Sequence, residues 1–231
     1  MERKRILVTA GSTVVPIDQV RVISNIFKGK TGTAIAAHFA ERGHGVTLLT
    51  SNPELLEDYR EISNGWNIQV VKFRTFNDLA SAMKKLITAG AYDMIVHSAA
   101  VSDYQVAQVL TKDVGGQLLP LDAGTKVSSR HGKLYLEMVP TAKLIDKIRT
   151  DWGFAGYLVK FKLQVGIGDG ELVNIARQSR ADSASDLIIA NCLEWAAQYA
   201  YAIGSDNTAE KISREKIGET IERRAGWYDE K

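Results

Sequence analysis

Short apolar runs alternate with stretches of helical periodicity along the chain. Residues 5–10, 45–50, 68–73, 93–98, 157–162 and 186–190 read as strands. Several are apolar at successive positions, as in strands of a sheet covered on both faces. The intervening pattern predicts helices over 30–42, 77–89, 140–150 and 169–184. Asn77 suits an N-cap, Pro140 a first helical turn, and Gly43 and Gly90 left-handed C-caps. This order implies an α/β chain folded as a doubly wound, Rossmann-like, mostly parallel sheet.

Two segments interrupt the rhythm. Residues 11–29 separate the first strand from its helix by far more than the usual two to six residues. Residues 104–133 hold Gly115, Gly116, Pro120, Gly124 and Gly132 with little periodicity. Both follow the carboxyl end of an expected strand, where open α/β sheets bind ligands. No repeat or linker is visible, so residues 1–231 are expected to form one domain with an inserted flap at about 104–133.

Composition narrows the function. The 231 residues carry 29 Lys and Arg against 27 Asp and Glu, a net charge of +2 that leaves no broad basic surface for nucleic acid. The single cysteine, Cys192, excludes an internal disulfide and a thiolate metal cluster within one chain. Absence of a long apolar run and of a leader-like start points to a cytoplasmic protein with no membrane span.

Candidate chemistry gathers at strand ends. Gly29, Lys30, Thr31 and Gly32 open the first helix, whose free N–H groups and dipole favour an anion. Their spacing matches neither a Walker A loop nor a compact dinucleotide turn. Small residues at Gly32, Ala36 and Ala40 allow close approach to the sheet. The run at 97–103 ends a buried strand in small residues and Asp103, a hydrogen-bond acceptor or a turn former. His97 reads as a core histidine, and the four histidines lack metal-ligand spacing. Lys126 lies in the flap, as a mobile cation or an ordinary exposed lysine. Lys160 and Lys162 alternate with Tyr157, Val159 and Phe161, and Asn191 follows the last strand, suited to hydrogen-bonding a base or capping a turn.

In this order the segments resemble the phosphopantothenate–cysteine ligase (phosphopantothenoylcysteine synthetase) family in its free-standing form. The similarity rests on the runs at 8–13, 16–18, 20–25 and 29–32, then 99–104, 126–129, 138–140, 161–163 and 187–191. The resemblance implies an amide-forming ligase of coenzyme A biosynthesis. It would activate 4′-phosphopantothenate as an acyl-nucleotide with ATP or CTP and couple it to L-cysteine, with Mg²⁺ carried mostly by the triphosphate. By carry-over, Asn25 and Lys126 are catalytic; Arg21, Ala99, Ala100 and Asp103 bind substrate; Gly11, Gly29, Gly32, Phe161 and Asn191 bind nucleotide. The resemblance also implies a homodimer in which Arg21 reaches the neighbouring site, and no flavin.

The chain departs from the family where Ser12 replaces the second Gly of Gly-Gly-Thr and where Phe27 and Lys28 replace two serines. The alternatives are an NAD(P)-dependent Rossmann oxidoreductase, which would need a Tyr-x-x-x-Lys pair that is missing, or a non-catalytic nucleotide- or metabolite-binding paralogue.

Overall fold

A computed structural model describes residues 2–59 and 65–227. The first half runs β1 (Arg5–Ala10), β2 (Val14–Pro16), β3 (Val22–Ser24), α1 (Lys30–Glu41), β4 (Gly45–Thr50), β5 (Ile68–Lys72), α2 (Phe76–Ala89) and β6 (Met94–His97). It continues through β7 (Tyr104–Lys112), β8 (Leu118–Leu121), β9 (Tyr135–Pro140), α3 (Leu144–Thr150), β10 (Tyr157–Gln164), α4 (Asp169–Asp182), β11 (Leu187–Cys192), β12 (Tyr199–Gly204), β13 (Ala209–Ser213) and α5 (Ile217–Arg224).

The central sheet has the order β13-β12-β11-β10-β6-β1-β4-β5. Strands β5 to β11 in that array are parallel, and β12 and β13 add an antiparallel edge. The continuous apolar runs follow from two-sided burial. Ile6, Val8, Met94, Val96 and Val159 face α1 and α5, whereas Leu7, Ile95 and Leu158 pack against α2 and α3. Ile188 and Ala190 meet α4 on that second side. The Rossmann-like expectation therefore holds. From β1 the chain winds outward to β4 and β5, then restarts beside β1 at β6 and winds the other way. A crevice opens at the carboxyl ends of β1 and β6, the switch point of such a sheet.

Several expected boundaries shift for identifiable reasons. The N-cap of α2 is Thr75, not Asn77, because Thr75 and Asp78 close a reciprocal capping box. Gly43 is left-handed at φ +84°, whereas Gly90 is extended at φ −110°. Pro140 opens no helix; it ends β9 opposite Tyr104, and α3 begins only at Leu144. Helix α4 stops at Asp182, short of 184.

The two interruptions are ordered. Residues 14–24 form the β2–β3 hairpin. The flap is a three-stranded antiparallel sheet, β8-β7-β9, extending past 133 to Pro140. Its sequence lacks alternation because both faces of β7 are largely exposed and only Val109 is buried there. The turn after β2 grips the flap. The Asp18 carboxylate, with no exposed side-chain surface, accepts Arg21 Nε at 2.9 Å and Val127 N at 3.0 Å. Arg21 also donates to the Val127 carbonyl at 2.5 Å. The guanidinium, aided by the backbone N–H groups, holds the Asp18 carboxyl well below the usual carboxylate range.

Candidate functional site

The carboxyl ends of β1, β6, β10 and β11 border a cavity of about 790 Å³ that straddles the sheet edge. From the α1 side it is lined by residues 25–32 and Arg214; from the α3 and α4 side by residues 141–145, Lys160 and Ser179. Residues 97–101, Phe161, Lys162 and Asn191 form the strand-end wall between them.

The start of α1 has an anion-binding form. Its N-cap is Gly29 at φ +94°, no side chain caps it, and its first turn holds no acid. Lys30, Thr31 and Gly32 therefore keep backbone donors free of intrahelical partners. A side chain at Gly29 would run into the Gly11 backbone, so the two glycines meet back to back. Gly32 is needed equally: a Cβ there would lie 2.7 Å from the Ala10 Cβ and 2.5 Å from Ser98 Oγ. Arg214 donates to Thr31 Oγ1 at 3.0 Å and to the Ala196 carbonyl at 3.2 Å, fixing the C-terminal region against this turn.

Opposite the helix start, Asn25 Nδ2 donates to the Ala100 carbonyl at 3.3 Å. The β1 exit is tied to the same segment, since Ala100 N donates to the Gly11 carbonyl at 2.8 Å and Ser102 N to Thr13 Oγ1 at 2.9 Å. Asp103, the sole carboxylate among the described lining residues, stands at the entry of β7. It faces a cavity also lined by Lys28, Lys30, Lys143, Lys160, Lys162 and Arg214. The cavity is thus strongly cationic, although the chain as a whole is nearly neutral.

His97 is buried, with Nδ1 2.9 Å from Thr9 Oγ1. Burial, helped by the charge of Lys160, pushes its pKa down to about 4, so it is neutral at pH 7. That suits the core reading, with the Thr9 bond orienting the ring.

The structure thus brings Asn25, Ala99, Ala100, Asp103, Gly29, Gly32, Phe161 and Asn191 to one cavity, with Gly11 directly behind Gly29. Arg21 and Lys126 are not among its lining residues. Arg21 is held in the Asp18 clasp, and exposed Lys126 adjoins buried Val127 at the flap's anchor. Lys143, Ser179 and Arg214 had no sequence signal, because residues distant in the chain bring them here. Phe27 and Lys28, the departures from the family pattern, both line the cavity.

The family profile described as the DNA/pantothenate metabolism flavoprotein C-terminal domain matches residues 1–224. A bifunctional coenzyme A biosynthesis protein CoaBC from Thermococcus kodakarensis is 34% identical over 197 residues, 84% of this chain and 42% of that protein. The chain thus spans less than half of that relative. The crystal structure of the DNA/pantothenate metabolism flavoprotein from Streptococcus pneumoniae is 27% identical, with a TM-score of 0.77 over 98% of this chain and 100% of that one. A Cab2 mutant, H337A, in complex with phosphopantothenate-cysteine is 19% identical and shares the fold, with a TM-score of 0.69 over 97% of this chain and 87% of that one. The match along nearly the whole length places this chain in the DNA/pantothenate metabolism flavoprotein C-terminal domain family, in keeping with the ligase resemblance of its motifs.

Proposed function

We propose that the chain is a phosphopantothenate–cysteine ligase of coenzyme A biosynthesis. The observation that carries this reading is one cavity holding both an uncapped, basic helix start and, across from it, Asn25 bonded to Ala100. The coenzyme A biosynthesis name of the Thermococcus relative supports it.

Free carboxylates do not acylate amines, because an oxide is a poor leaving group. The carboxylate oxygen of 4′-phosphopantothenate would attack the α-phosphorus of ATP or CTP, breaking the bond to pyrophosphate and forming an acyl-nucleotide. The cysteine amine would then attack the acyl carbon, losing a proton as the nucleoside monophosphate departs with the bonding pair. Helix α1 would receive phosphate oxygens on its free N–H groups, with Lys28, Lys30 and Arg214 balancing their charge. Asn25 would hold the acyl group, and Ala99, Ala100 and Asp103 the pantothenate wall.

No group of three His, Cys, Asp or Glu side chains is placed to hold a metal among the described residues. One cavity carboxylate fits a Mg²⁺ ion brought in by the triphosphate with much of its water retained. Its chemistry there would be to withdraw charge from the phosphates.

Arg21 and Lys126 lie outside the cavity of a single chain, which agrees with a site completed by a second copy. Exposed Val20, Val22 and Ile23 on the hairpin, together with Tyr104 and Met138 on the flap, supply apolar surface for that contact. Sedimentation velocity is expected to give a homodimer; a monomer throughout the micromolar range would refute this assembly. Incubation with 4′-phosphopantothenate and ATP or CTP, without cysteine, is expected to release pyrophosphate and yield an acyl-nucleotide detectable by mass. Release with neither nucleotide would sink the ligase reading.

A further inference from the structure

Lys160 belongs to none of the matched motifs, yet it is the most deeply buried cation of the cavity. Only 8% of it is exposed. In the sheet it stands opposite His97 of β6 and Ile188 of β11. Strand alternation sends Val159 and Phe161 to the α1 face and Lys160 to the α3 and α4 face. There its ammonium donates to the Ser179 carbonyl at 2.8 Å and to Ser183 Oγ at 3.0 Å.

Both acceptors are neutral. Among the described residues no carboxylate lies within ion-pair distance of Lys160, an unusual state for a buried charge. Three N–H donors minus two bonds leave one, and Lys160 and Ser179 both line the cavity. Val101, Leu144 and Ile145 line the same side. Apolar walls around one buried, directed donor suit a flat heteroaromatic ring with an acceptor on its edge. Phosphate is already provided for at the opposite side, where the α1 donors converge.

We propose that Lys160 is a specificity-determining residue that reads the base of the bound nucleotide, donating a hydrogen bond to a ring nitrogen or carbonyl on the base edge. This deepens the ligase reading and rests on it for the nucleotide. Burial pushes the Lys160 pKa down to about 8. The charges facing it are Lys143 at the N-cap of α3, Asp146 of α3, Asp182 of α4 and Lys162 of its own strand, with neutral His97 alongside. Base binding therefore draws on a proton that free protein begins to lose near pH 8.

The test is calorimetric titration of wild type and Lys160→Met with AMP, CMP, 4′-phosphopantothenate and, as a probe without a base, inorganic pyrophosphate. A lost hydrogen bond from a charged donor predicts that the better-bound nucleotide weakens roughly 10-fold to 100-fold. Pyrophosphate and 4′-phosphopantothenate should stay within about twofold, by the same reasoning that removal of one contact leaves separate contacts intact. Wild-type nucleotide affinity should fall as pH rises through 8, and the variant should lose that dependence. Its melting temperature should hold or rise, since the variant no longer buries an unpaired charge.

Unchanged nucleotide affinity in the variant would overturn the assignment. An equal loss for pyrophosphate would make Lys160 a phosphate ligand, and a selective loss for 4′-phosphopantothenate would give it to the other substrate; either result overturns base reading. A lowered melting temperature with intact binding would reduce it to a clip between β10 and α4. Wild type binding neither nucleotide would instead bring down the ligase reading itself.

Discussion

Replacing Asn25 with alanine is expected to cut ligation by roughly 10²-fold to 10³-fold, the usual consequence of removing one positioned donor from a developing oxyanion. Asn25 sits on an exposed stretch after β3, and the bond from its Nδ2 to the Ala100 carbonyl holds it across the cavity. The carboxamide can accept and donate at once, so it can stay anchored while it meets the acyl group. Alanine keeps the backbone and removes both functions. Because the residue is exposed, its loss should alter stability by no more than about 0.5 kcal/mol. Steady-state rates together with a melting curve check both halves. A decrease in rate below tenfold, with the fold intact, would remove Asn25 from the machinery.

The second large effect lies away from the cavity and concerns stability. Glu222 on α5 is completely buried, and its carboxylate joins the C-terminal helix to α1. His38 Nε2 stands 3.0 Å from Oε2, and Arg42 Nε donates to Oε1 at 3.1 Å. His44 lies 3.9 Å from Oε1, its pKa pushed down by burial, and contributes no firm hydrogen bond. Glu222→Ala would take the acceptor from two basic side chains and leave a void between the helices. His38 and Arg42 are partly solvated, which moderates the penalty below that of a fully buried pair. A loss of about 3 kcal/mol is expected. For a chain of this size that corresponds to roughly 6–12 °C in melting temperature. Glu222→Gln should fall between the two, because one carboxamide oxygen still accepts. Thermal denaturation of the three proteins measures this, and a shift under 2 °C for alanine, the effect of about 0.5–1 kcal/mol at most, would show that the cluster contributes little.

What could be read from the sequence follows what local patterns encode. Strands β1, β4, β6, β10 and β11 were visible because burial on both faces makes them largely apolar, as in the Ile6, Leu7 and Val8 run, and edge strand β5 by its Val70-Val71 pair. The helix start at Gly29 was visible because close packing and an open N-terminus demand small residues. Strands β12 and β13 escaped because Tyr199 and Tyr201 are half-exposed, stacking around Trp195 and bonding to Asp169 instead of filling a core. Helix α5 was hidden in a charged segment, where Ile217 and Ile221 are buried beside Glu222. Its meaning emerges only when α1 is packed against it.

The site divides along the same line. Asn25, the alanines at 99 and 100, and Asp103 announce themselves as ordered motifs, and the chain brings them together by continuing the β1 pairing past Gly11 to Ala100. Lys160 gave no comparable signal. A lysine between Val159 and Phe161 reads as a solvated position until Ser179 and Ser183, on a later helix, offer acceptors beneath the sheet. Arg214 is 183 residues from the Thr31 hydroxyl it contacts, a separation no motif spans. The cationic character of the cavity is likewise tertiary, assembled from four segments within a chain of net charge +2.

The most direct test of the ligase reading is a side-by-side turnover assay with ATP and with CTP, supplying 4′-phosphopantothenate and L-cysteine and identifying the product by mass. The expected product is 4′-phosphopantothenoylcysteine, formed with one equivalent each of pyrophosphate and nucleoside monophosphate, from at least one of the two nucleotides. Folded protein that forms no amide product and no pyrophosphate with either nucleotide would contradict the ligase reading.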